Sequence, residues 1–375
     1  MNIPFHRYSF DNQEFEAVKN VMQSGWITTG KECSNFEKEF AEYKNTRFAV
    51  AVNSGTAALS LLLASLNLKP DDEVITTPLT FVATANVVLH HGAKLVFADI
   101  NPETLNIDIR SIKEKTCSKT RAIIVVHVAG HPCDMKPIIE WANAHQIIVI
   151  EDCAHAIEAT YENQPVGTFG LGGAFSFYAN KNITTAEGGM IISNHQNYEK
   201  IWRALRNHGF DLEPLKRQEN NGFKPYDIIT PGYKFNMNDI TAAIGRVQLS
   251  KISIFLKKRK LLVNKYLEFF EKFPYLKPIL PLKNSESAWH LMIVKNESPL
   301  NRNQILNQLI QHGIQPSIHF KPIYEFSYYK KMGFLSHHYP NCEKMKEKIF
   351  SLPLYPDLKE NELDYIFETL NQIFQ

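Results

Sequence analysis

The chain has 375 residues, 44% hydrophobic and 21% charged, enough for two domains around a large buried core. A formal net charge of +2 leaves no electrostatic footprint for nucleic acid or an anionic membrane. Five scattered cysteines without a Cys-x-x-Cys pair exclude a disulfide framework and a zinc knuckle. Met1-Asn-Ile-Pro-Phe-His-Arg7 holds no apolar signal core, and no run reaches about 18 apolar residues. A soluble, cytoplasmic protein with reduced thiols is expected.

In chain order, apolar positions at helical spacing over 12–25 end at Ser24-Gly25. Arg47-Phe-Ala-Val-Ala-Val52 reads as a strand and runs into Asn53-Ser54-Gly55-Thr56-Ala-Ala58, followed by a helix over 59–66. Further apolar runs lie at 73–76, 94–98, 122–127 and 147–150, with helical segments such as 81–92 and 135–146 between them. Strands alternating with helices predict an α/β fold, a mostly parallel sheet sandwiched by helices. Segments 173–178 and 188–193 add two strands. The pattern changes near residue 239. A long helix is predicted over 239–273, with a weak break around 250–254, then strands at 290–294 and 315–320 and a closing amphipathic helix from Glu360. The expected organisation is a large domain, 1–245, and a smaller C-terminal α+β domain, 246–375.

The residues with chemical promise fall at strand ends. Ser176-Phe-Tyr-Ala-Asn-Lys181-Asn-Ile-Thr-Thr-Ala-Glu-Gly-Gly189 puts one lysine between an apolar run and a turn ending in two glycines. Ile147-Ile-Val-Ile-Glu-Asp152 reads as a buried strand ending in an acid. A lysine and an acid in one cleft suit pyridoxal phosphate (PLP), which takes an amine at its aldehyde and a carboxylate at its ring nitrogen. Gly55 and Thr56 open a helix, whose first-turn amides and dipole receive a phosphate; Ser54 or Thr56 also fits a plain N-cap. Ser176 offers the same phosphate a hydroxyl. Phe81 stands at a helix start where an aromatic can stack on a flat ring or fill core. Asp152 reads equally as an N-cap, and His155 follows one turn on. His127, His131, Cys133 and Asp134 match no zinc spacing, and the turn around Gly130 and Pro132 accounts for them, so no metal is expected.

These motifs, in this order, resemble the DegT/DnrJ/EryC1/StrS sugar aminotransferases, a branch of the fold-type I PLP transferases. The resemblance rests on Ser24-Gly-Trp-Ile-Thr-Thr-Gly30, Ser54-Gly-Thr-Ala-Ala-Leu59, Leu79-Thr-Phe-Val-Ala-Thr-Ala-Asn86, Glu151-Asp-Cys-Ala-His-Ala156, the Lys181 segment, Arg206-Asn-His-Gly209, Gly232-Tyr-Lys-Phe-Asn236, Ala242-Ala-Ile-Gly245 and Ser351-Leu-Pro-Leu-Tyr355. They span nearly the whole chain.

The resemblance implies a seven-stranded sheet and a homodimer with shared sites. Lys181 would be the Schiff-base lysine, Asp152 the partner of the ring nitrogen, Phe81 the stacking ring and His155 the neighbour of the ring oxygen. Gly55, Thr56 and Ser176 would hold the phosphate. The partner subunit's phosphate site would be completed from Gly232–Asn236, where Lys234 and Asn236 replace the Asn and Arg found in many members. Thr28, Thr29, His319, Lys321 and Tyr324 are candidate sugar contacts, the last three equally readable as small-domain structure. The implied activity is ping-pong transfer of an amino group from L-glutamate to a nucleotide-linked ketosugar. Thr185-Ala-Glu-Gly-Gly189 and His319-Phe-Lys-Pro-Ile-Tyr324 look more like UDP-4-ketosugar enzymes than 3-amino ones. A sugar 3-dehydratase of the same family would carry histidine in place of Lys181. A PLP-binding regulator would lack turnover.

Overall fold

The computed structural model describes residues 1–211 and 225–375. Strands β1 (Phe48–Val52), β2 (Glu73–Thr76), β3 (Lys94–Phe97), β4 (Thr120–Val126) and β5 (Ile148–Asp152) precede a small hairpin, β6 (Thr160–Tyr161) and β7 (Gln164–Pro165). After it come β8 (Gly172–Ser176) and β9 (Gly189–Ser193). The large sheet has the order β1-β9-β8-β5-β4-β2-β3. From β8 to β3 every pair is parallel, whereas β9 runs antiparallel to both neighbours. Six strands therefore share one direction, and their carboxyl ends line up along one edge, where open α/β sheets bind ligands.

Alternation along the strands decides which helices cover them. Ile124 and Val126 pack on one face with Leu61, Leu62, Val87 and Val88 from helices Gly55–Ala64 and Ala83–His90. Ile123 and Val125 turn to the other face, toward Met135, Ile138 and Ala142. Beyond them, Phe36, Phe40, Phe175 and Phe177 form an aromatic cluster against Ala242 and Ile252 of the long helix. Both faces are thus covered, as apolar strands without a polar side require.

The second sheet, β10 (Leu276–Pro278), β12 (Met292–Asn296) and β13 (Ile349–Leu352), packs on helices Arg302–Gln311 and Glu360–Phe374. The two-residue β11 (Ser285–Glu286) pairs with β6 instead. Ile3 is buried in this second core, so the N-terminal segment starts there and crosses to the large sheet.

Two expectations fail locally. Helix Asp239–Glu271 has no break at 250–254: Ile252 and Phe255 are buried and hold that turn, and the Ser250 hydroxyl folds back on the Val247 carbonyl. Residues 315–320 form no strand. Only Ser317 bridges Ser351, because Pro316 brings no N–H to a ladder. Among the described residues, no helix is long and apolar enough to cross a membrane.

Candidate active site

At the carboxyl edge, β5 ends in two acids that its pleat sends opposite ways. Glu151 turns inward and accepts the amides of Gly167 (2.6 Å), Phe169 (2.8 Å) and Gly170 (3.1 Å). His127 closes this knot: its Nδ1 accepts the Cys133 amide at 3.0 Å, which puts its proton on Nε2, 3.3 Å from Glu151. Cys153 lies close to the same pair, but the carboxylate is already filled by backbone donors, so the cluster reads as a structural anchor. His131 is likewise committed, to Ser287 and the Ile279 carbonyl.

Asp152 faces the cleft. Thr84 Oγ1 donates to its Oδ2 at 2.8 Å and the Ala154 amide to its Oδ1 at 3.1 Å. Burial holds this carboxyl above the usual range, opposed by both hydrogen bonds and by the Lys181 charge. No helix follows, so Asp152 is not a helix cap.

Lys181 comes from the loop joining β8 to β9. Phe177 pins that loop at both ends, its amide donating to the Gly188 carbonyl (2.8 Å) and its carbonyl accepting the Thr185 amide (2.9 Å). Among the described residues the Lys181 side chain enters no salt bridge, and burial lowers its pKa to about 8, with Asp152 pulling the other way. A lysine so poised is largely protonated at neutral pH, yet it gives up its proton far more readily than a solvated one.

Helix Gly55–Ala64 starts at the same edge. The Ser54 hydroxyl caps the Ala57 amide at 3.1 Å, leaving those of Gly55 and Thr56 without an intrahelical acceptor. Glycine is required at 55, where a Cβ would come within 2.8 Å of the Ser176 Cβ.

Gly55, Thr56, Phe81, Asp152, His155, Ser176, Lys181 and His319 all line one cavity of about 480 Å³, within the range of small-molecule sites. The remaining sequence candidates lie outside its lining. Lys234 and Thr28 are exposed. Thr29 is buried, its hydroxyl donating to the Met237 carbonyl and accepting from Asn236 at 2.7 Å. Tyr324 donates to Glu343 at 2.7 Å, and the Lys321 ammonium sits over the Phe326 ring.

The sequence reading did not single out Thr84, Tyr178, Asn180, Glu187, His290 or Phe320, which also line the cavity. Thr84 was the most accessible of these to sequence reasoning, since it stands one turn after Thr80 and beside Phe81. His290 has no local signal. Its ring packs 4.3 Å from that of His155, and its Nδ1 bonds Asn182 at 2.8 Å. Burial and the nearby Lys181 charge keep His155, His290 and His319 well below the ordinary histidine pKa. All three are neutral at physiological pH.

The donor set fits PLP. The His155 Nδ1 is buried without a partner beside the cavity, the helix start offers two amides, and an acid and an amine face the same space. Phe81, 61% exposed, offers a free ring face at the rim.

Comparison with known proteins agrees with this geometry. Residues 9–371 match the DegT/DnrJ/EryC1/StrS aminotransferase family. The spore coat polysaccharide biosynthesis protein SpsC of Bacillus subtilis is 36% identical, across 99% of this chain and 97% of that protein. The sugar aminotransferase Spr1654 of Streptococcus pneumoniae, in its PMP form, superposes with a TM-score of 0.93 at 34% identity, covering 99% of both chains. Helicobacter pylori PseC, an aminotransferase involved in the biosynthesis of pseudoaminic acid, gives 0.93 at 29% identity, covering 100% of this chain and 99% of that one.

Proposed function

Since the chain belongs to the DegT/DnrJ/EryC1/StrS family of PLP-dependent sugar aminotransferases, we propose that it moves the amino group of L-glutamate to a nucleotide-linked 4-ketosugar. The observation that carries this reading is the meeting of Lys181 and Asp152 in one cleft, the amine's pKa depressed by burial, the acid held by Thr84. When bound, PLP supplies an aldehyde for the lysine and a ring able to hold an electron pair.

The chain's own residues do the rest. Asp152 would accept the ring N–H and keep that nitrogen protonated, which in turn would hold the carboxylate ionised despite its burial. Gly55, Thr56 and Ser176 would hold the phosphate, and Phe81 would stack on the ring. Lys181, freed as a neutral amine, takes the proton from the donor's Cα and in the second half-reaction returns one to the sugar carbon. Neutral His155, His290 and His319 form a wall that offers hydrogen bonds without adding charge.

The resemblance of His319-Phe-Lys-Pro-Ile-Tyr324 to 4-ketosugar enzymes favours that acceptor over a 3-ketosugar. SpsC, a spore coat polysaccharide biosynthesis protein, supports a polysaccharide as the destination of the product. We also place the working unit as a cytoplasmic homodimer. Lys234 and Asn236 lie outside the lining of their own cleft, as residues that complete a partner's site would, and the nearby Ile228 and Ile229 are more than half exposed. Residues 246–375 would act as the small domain that carries His290 and His319 to the site. The test is a panel of UDP-, dTDP- and GDP-linked ketosugars with L-glutamate, the amino position of the product read by NMR. Product aminated only at C3 overturns the acceptor assignment.

A further inference from the structure

Lys181 lines two cavities. The second has a volume of about 20 Å³, shares Asn180, Lys181 and His290 with the cleft, and is walled as well by His6, Arg259 and Tyr355, which the cleft lacks. It has room for about one water molecule.

Four buried side-chain polar atoms among the described residues lack a hydrogen-bond partner, and three belong to this wall: Asn180 Oδ1, Arg259 Nη1 and Tyr355 Oη. A buried polar atom without a partner is costly, so three around one small space mark a place for a shared partner. We infer that this cavity binds one ordered water, which positions the Lys181 amine. The inference rests on Lys181 being the reacting amine of the proposed function.

The donor and acceptor inventory defines the ligand. Arg259 only donates, and its other nitrogens are taken, Nη2 by Glu158 and Nε by the Ala288 carbonyl. The Tyr355 hydroxyl keeps its proton, its pKa pushed up to about 12 by burial. A water accepting from both has its lone pairs filled and two hydrogens left. One goes to Asn180 Oδ1 and the other to the lone pair of Lys181 Nζ. An anion such as chloride would face the Asn180 oxygen and is disfavoured. Held this way, the water can donate to a neutral amine but cannot accept from an ammonium.

The charges around Lys181 leave that logic intact. Arg259 is neutralised by Glu158 in a buried pair, and Arg7 by Glu362. His6, with its pKa lowered to about 4 by burial and by Arg259, is neutral, as are His155, His290 and His319 on the small-domain side. Asp152 and Glu187 face the amine from the cleft and are untouched by changes in the smaller cavity.

A crystal structure of the cofactor-loaded enzyme should show a water within hydrogen-bond distance of Asn180 Oδ1, Arg259 Nη1 and Tyr355 Oη. Tyr355→Phe removes one donor and no protein hydrogen bond. The freed lone pair can then accept from the ammonium. The Lys181 titration, read by NMR of labelled lysine in the pyridoxamine phosphate form, should therefore rise by about one unit. No water at the three atoms, an anion there, or a titration unmoved by Tyr355→Phe overturns the inference. Should Tyr355→Phe misfold, the wild-type water decides alone. Lys181→Ala that keeps the visible cofactor band would instead sink the reading of Lys181 and leave the water standing.

Discussion

Thr84 Oγ1 donates to Asp152 Oδ2 at 2.8 Å, joining the helix that follows Phe81 to the acid at the end of β5. Both residues are buried, and Thr80 Oγ1 continues the chain 3.2 Å from Thr84. A hydroxyl aimed at a buried carboxylate favours its ionised form and fixes its plane. Under the proposed function, that orientation would set where Asp152 meets the ring nitrogen of PLP.

Thr84→Val keeps the shape and deletes the hydroxyl. Hydrogen bonds to charged groups contribute about 1.5–3 kcal/mol, so PLP retention should weaken roughly tenfold or more. Cofactor dissociation followed by absorbance measures it, and unchanged retention would refute the role given to Thr84.

Lys181→Ala should abolish amino transfer with every ketosugar and remove the visible cofactor band. Residual turnover near the wild-type rate would show that another group moves the proton.

Capture of PLP by the cofactor-free enzyme should speed up with pH. Lys181 attacks as the neutral amine, whose fraction rises about tenfold per unit below its pKa of about 8 and then levels. A rate that falls between pH 6 and 8 contradicts this sign.

Glu158 and Arg259 form a buried ion pair, their side chains 1% and 2% exposed. Glu158 also accepts from Asn182 Nδ2 at 2.7 Å. Glu158→Gln leaves the guanidinium uncompensated and should destabilise the fold by about 3 kcal/mol, seen as a lower urea midpoint. A midpoint within error of wild type would argue that the pair carries no net stability.

Burial lowers the pKa of His131 to about 4, from 6.5 in the unfolded chain. The stabilisation by its neutral form is complete above pH 6.5 and is lost as pH falls toward 4, because the unfolded state takes up the proton first. The loss approaches about 3 kcal/mol. Replacing His131 by Asn should flatten this acid limb in urea titrations at successive pH values.

What the sequence disclosed follows from how locally each feature is encoded. Lys181, Asp152, Gly55 and Ser176 sit at ends of strands that the apolar pattern marks, so the strand edge delivers them together. The small-domain side was less legible. His319 was singled out and reaches the cleft, but Lys321 and Tyr324 beside it are turned to Phe326 and Glu343. His290 arrives only through tertiary packing, more than a hundred residues after Lys181. Thr29 shows what sequence leaves out: a hydroxyl in a matching motif reads as a sugar contact, while its partners in the fold, Met237 and Asn236, stand more than two hundred residues away in sequence.

The antiparallel course of β9 bears on the order in which the site assembles. The β8–β9 pair closes over residues 177–188, while β1 must find β9 across most of the large sheet's sequence, Val52 opposite Gly189. Shorter closures cost less chain entropy, so the Lys181 loop can form before the turn at Ser54-Gly55 docks. Gly189 lies directly against Ser54, where a side chain would strike the backbone, and this docking completes the cofactor pocket. Refolding followed by pulsed hydrogen exchange should find the β8 and β9 amides protected before those of β1.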